Sequence, residues 1–73
     1  MEVEEIVLAV IKNYRNELRQ QYNRDAINKS YRHARIWSRI MASSGIISEE
    51  ERNRANEAFK KMRWNRLNKI EEA

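Results

Sequence analysis

With 73 residues, no cysteine and a single histidine, this chain has neither a disulfide framework nor a cluster of metal ligands, and a core of this size is marginal without a partner subunit. Its formal net charge is +4 and its pI about 9.8, a balance suited to nucleic acid or to an acidic protein surface. The longest apolar run, Ile6 to Ile11, falls far short of the roughly 20 residues that span a bilayer.

The first element is expected over residues 2–22. Val3, Val7, Val10, Tyr14 and Leu18 recur at three- and four-residue steps, and Ile6 and Ile11 widen the stripe, the period of an amphipathic helix. Glu2, Glu4 and Glu5 suit the positive end of its dipole. The same acidic start is the reverse of a basic signal-peptide opening, so the expected location is cytoplasmic.

A second helix is expected over 25–43. Ile27, Ala34, Trp37 and Met41 share one face, Tyr31 and Ile40 flank it, and the small Ala26, Ser30 and Ser38 permit close approach. Tyr22-Asn23-Arg24-Asp25 contains poor helix formers but no proline or glycine, and Asn23 or Asp25 is the candidate cap. If neither caps, residues 2–43 form one rod of roughly 60 Å, which only a second chain would cover. A break is the favoured reading.

Gly45 is the single glycine, and no proline occurs. It supplies the positive φ that terminates a helix, and Ser48 with Glu51 three residues later forms a capping box. The third helix follows over 49–71, with Ala55, Phe59, Met62 and Ile70 on one side. Its acidic start and basic end match the helix dipole. Ile46 and Ile47 are expected to plug the end of the hairpin.

The stretch Gly45-Ile46-Ile47-Ser48-Glu49-Glu50-Glu51, followed by a basic amphipathic helix, resembles the Gly-aliphatic-Ile-Ser/Thr-x-Glu-Glu segment of the short bacterial helical modules called SHOCT domains. The resemblance covers these seven residues and implies a helical hairpin without implying an activity. In general character the chain is similar to small basic proteins of bacteriophages and mobile elements. The expected architecture is therefore all-α, a small three-helix bundle forming one domain over 1–73, completed as a homodimer.

Two features carry functional expectations. Lys29, Arg32, Arg35 and Arg39 fall on about a third of the circumference of the second helix, with Asn28 on the same arc, and no acid follows Asp25 in that segment. An ordinary solvated face mixes both signs; a row of one sign suits phosphates. Arg15, Arg19 and Arg24 are the flanking set. Trp64 points away from the Ala55-Phe59-Met62 stripe, beside Lys60 and Leu67, and is the expected anchor of an interface.

His33 lacks partners of metal-ligand type and reads as a boundary residue at the edge of the core. Catalysis is not expected, because the chain has no cysteine nucleophile, no glycine-rich phosphate cradle and no histidine–carboxylate pair in a recognisable spacing. Neither a cofactor nor a metal is implied. Two readings follow: nucleic-acid binding through the basic face of the middle helix, or docking of that face and Trp64 on an acidic protein.

Overall fold

The computed structural model describes residues 2–72; Met1 and Ala73, the ends of the expected domain, lie outside the described residues. It contains three helices, α1 (Val3–Arg19), α2 (Arg24–Ser43) and α3 (Glu49–Glu72), and no strand among the described residues. They pack as a bundle measuring 40 × 18 × 16 Å.

The break between α1 and α2 arises from Asn23. Its backbone is extended (φ −128°), and its side chain accepts the N–H of Ala26 at 2.8 Å, satisfying a donor that the first turn leaves free. Asp25 lies inside that turn, where its charge complements the dipole. The carbonyls freed at the end of α1 are taken by Arg66: its Nε and Nη2 donate to the Gln21 carbonyl at 3.1 and 3.0 Å, and Nη2 also reaches that of Arg19. The guanidinium lies 5.1 Å from the centre of the Tyr22 ring. Residue pairing thus ends α1 at Arg19, three residues before the sequence expectation.

At the other connection Gly45 has φ +77°. Ile46 N–H donates to the Met41 carbonyl at 2.9 Å and Gly45 N–H to that of Ala42 at 3.1 Å, the two bonds of a Schellman motif. The capping box forms: Glu51 N–H donates to Ser48 Oγ at 3.1 Å, and Ser48 N–H donates to Glu51 Oε1 at 3.0 Å. Ile47 is buried under the hairpin end, whereas Ile46 is 45% exposed and plugs nothing.

Contacts between Asn28 and Arg63, Ser38 and Asn56, and Arg24 and Glu71 run α2 antiparallel to α3. The short loops make α1 antiparallel to α2 and therefore parallel to α3. Phe59, fully buried, meets Tyr14 edge-on with ring centroids 5.1 Å apart. Val7, Leu18, Ile27, Ala34, Met41, Ile47, Ala55 and Leu67 complete the core.

Three expectations about burial are corrected. Trp37 is 61% exposed and Ile40 55% exposed; the buried face of α2 is instead Ile27, Ser30, Ala34, Ser38 and Met41. Ile27, Ala34 and Met41 hold the centre of that face, with Ser30 at its α1 edge and Ser38 at its α3 edge, where small side chains permit close approach. Leu67, expected beside Trp64 at an interface, is only 7% exposed and belongs to the core.

The two buried serines of α2 have specific partners. Ser30 Oγ donates to Glu17 Oε1 at 2.9 Å and accepts from Gln21 Nε2 at 2.5 Å. Ser38 Oγ, wholly buried, lies 2.7 Å from Asn56 Oδ1 and 2.9 Å from the Arg35 carbonyl, and its single proton serves one of them. These contacts pin the rotation of α2 about its axis, which fixes the residues that face outward.

Candidate functional site

Rotation of α2 by its serine contacts turns Arg32, Arg35 and Arg39 toward the side where α2 meets α3. There they line a shallow groove with Tyr31, Ile36, Arg52 and Asn56. All three arginines are exposed, as is Lys29 on the outer side of α2. Among the described residues the ion pairs are Arg24 with Glu71, Arg52 with Glu49 and Arg54 with Glu50. Arg32, Arg35, Arg39 and Lys29 therefore keep their charge unpaired in this structure.

Tyr31 organises the groove. The Arg63 guanidinium of α3 lies 5.0 Å from its ring centre and that of Arg35 lies 5.8 Å away, both within cation–π range. Arg63 Nε also donates to Asn28 Oδ1 at 2.9 Å. Asn28 thus has its carbonyl oxygen committed to the bundle, and only its amide N–H groups remain to meet a ligand. Anchored in this way, two guanidinium groups from different helices are held beside one aromatic ring, so less side-chain freedom is lost when an anion binds.

The flanking set divides. Arg15 and Arg19 line a different groove, between α1 and α3, together with Asn65, Arg66 and Lys69. Arg24 pairs with Glu71 across the open end of the bundle. Helical bookkeeping along one helix did not separate these positions, because which groove a residue faces depends on where its neighbours pack. Arg52 and Arg63 were not singled out in the sequence: α3 mixes both signs along its length, and its contribution to the groove becomes visible only through contacts across more than 30 positions, such as Asn28 to Arg63.

Trp64 stands on the outer side of α3, 62% exposed, one helical turn beyond the exposed Lys60. Leu67, the third member of that expected interface, faces inward. His33 is exposed and lines the groove between α1 and α2 with Asn13, Glu17 and Trp37. Among the described residues no three side chains of metal-ligand type converge, and no helix is long and apolar enough to cross a membrane.

The chemistry this geometry offers is the recognition of an extended anion: a line of guanidinium groups, each carrying donors in a fork that fits phosphate or carboxylate oxygens, above an aromatic floor. No protein-family model matches the chain, and neither a curated protein nor a solved structure matches it.

Proposed function

We propose that the protein binds nucleic acid through the groove between α2 and α3, with Arg32, Arg35 and Arg39 as the phosphate-contacting row, Lys29 as its outward extension, and Arg52 and Arg63 as the opposite bank. The observation that carries this reading is the row of exposed arginines without carboxylate partners, on a helix whose only acid, Asp25, sits in its first turn. Arg15, Arg19, Arg66 and Lys69 form a second basic strip between α1 and α3, suited to a neighbouring stretch of backbone. In this reading the protein is not an enzyme, needs no cofactor, and works in the cytoplasm. We also take it to self-associate, since a core this small gains stability from a partner copy.

The test is a salt-titrated shift with duplex and single-stranded nucleic acid. Wild-type affinity should fall steeply between about 50 and 200 mM salt, since each neutralised phosphate adds close to one unit to the logarithmic slope. The double reversal Arg32→Glu with Arg35→Glu should lower affinity at least about tenfold and flatten that slope, with helicity unchanged because both side chains are exposed. Unchanged affinity in this variant removes the groove as the site. The pair Arg15→Glu with Arg19→Glu measures the contribution of the second strip.

A second reading is favoured by Trp64, a large aromatic left exposed beside Lys60. In it the basic groove and the indole dock on an acidic protein, and the origin would be a regulator or inhibitor of the mobile-element type. Absence of nucleic-acid binding at about 50 mM salt, with Trp64→Ala weakening capture of the acidic partner more than any single arginine change, would establish this reading in place of the first.

A further inference from the structure

The bundle has three lateral grooves, and they differ in charge. That between α2 and α3 is lined by four arginines, and that between α1 and α3 by Arg15, Arg19, Arg66 and Lys69 in its lower half, while Arg54 in its upper half stands with Glu4 and Glu51. The groove between α1 and α2 has no lysine or arginine in its lining. Its one carboxylate, Glu17, accepts a hydrogen bond from Ser30. On the outer side of α1 this face continues into Ala9, Asn13 and Asn16, all exposed and uncharged.

The same face carries apolar surface that the fold leaves uncovered. Trp37 and Ile40 are 61% and 55% exposed. A spacing of three places them together on α2, with the exposed His33 one turn before Trp37, whereas Ile36 lines the arginine groove on the other side of the helix. Depletion of charge at the centre with an aromatic anchor is the composition of an interface core.

We infer that the face formed by α1 and α2, centred on Trp37 and Ile40, is the surface on which a second copy of this chain docks, through a two-fold axis. The inference rests on the self-association proposed above and names the surface for it, in place of the Trp64 side. Charge decides for a second copy. A nucleic acid or an acidic protein would gain nothing from a face without cations while the α2–α3 groove and the lower half of the α1–α3 groove stand open and basic. Two copies carrying +4 each repel least when their uncharged faces meet and their arginine rows turn outward.

Area agrees. Helices of 17 and 20 residues rise about 25–30 Å, and a bundle 18 Å broad gives a footprint of roughly 500 Å² per copy, or about 1,000 Å² in total, the lower edge for a specific complex. Such a dimer presents two identical basic grooves on its outer sides.

Oligomeric state is measured without nucleic acid by sedimentation at about 1–200 μM and at about 0.5 M salt, where surface charge is screened. The wild type should move from 8.9 kDa to twice that mass with rising concentration. Trp37→Asp with Ile40→Asp should raise the dissociation constant at least about tenfold while circular dichroism stays helical, and Trp64→Asp should leave it unchanged. Because the chain has no cysteine, His33→Cys and Ile40→Cys introduced singly give a second readout: at least one should form an intermolecular disulfide on oxidation, and Lys61→Cys on α3 should not.

A monomer at every concentration overturns self-association itself. A dimer that survives Trp37→Asp with Ile40→Asp but is lost in Trp64→Asp, or that cross-links through Lys61→Cys alone, overturns the assignment to this face while leaving self-association standing.

Discussion

Tyr14 is a buried aromatic whose polar end is unmatched. Its ring is 3% exposed and packs edge-on against Phe59, yet its hydroxyl has no hydrogen-bond partner among the described residues. Burial, reinforced by Tyr31, pushes the phenol above its ordinary titration range, so the neutral form is held in the folded state. A pKa raised on folding contributes stability that is complete below the unfolded value, about 10, and is lost as pH rises beyond it. Tyr14→Phe removes an unpaired buried group without changing the ring; it should raise stability in urea by about 1 kcal/mol and shift alkaline unfolding to higher pH. Gly45 behaves in the opposite sense. Nothing lies within 4 Å of the position a Cβ would take, so Gly45→Ala meets only the penalty of left-handed backbone, about 1–2 kcal/mol, visible as a lower urea midpoint with an unchanged slope.

Helix ends explain how much of the elements was legible. The start of α3 was readable because its signals are local: a glycine at C′, a serine cap and a glutamate three positions on, all within seven residues. The Ser48 hydroxyl and then its backbone N–H hold the Glu51 carboxyl below the usual carboxylate range. A depressed pKa contributes stability present above the unfolded value and lost as pH falls through the folded one. Thermal melts of wild type and Glu51→Gln should therefore differ most near neutrality and converge in strong acid. Ser48→Ala should lower stability by about 1 kcal/mol, measured by urea unfolding. The end of α1 was less legible, since it depends on Arg66 reaching back across 45 positions to the Gln21 carbonyl. Trp37 was misplaced for a related reason. Periodicity alone gives a stripe roughly one third of the helix wide, and which edge of it is covered is decided by the angle at which α1 and α3 meet α2, a property of no single segment.

For the molecule as a whole, Phe59 of α3 is a fully buried aromatic of the shared core, packed against Tyr14 of α1. Phe59→Ala should cost about 3–5 kcal/mol, a large part of the stability available to a domain of this size; loss of the cooperative melt at ordinary temperature is the expected readout. The candidate site was half legible at this scale. Its arginine row follows from the composition of one helix, whereas its second bank, Arg52 and Arg63, and the separation of Arg15 and Arg19 into another groove require the packing of three. The parallel run of α1 and α3 brings Glu2, Glu4, Glu5, Glu49, Glu50 and Glu51 to one tip of the 40 Å axis, where Arg39, Arg52 and Arg54 only partly offset them. The opposite tip and the waist hold most of the cations. Such an object carries a dipole along its long axis, and in the field of a polyanion torque turns the glutamate tip away before contact, so that fewer encounters begin with that tip foremost.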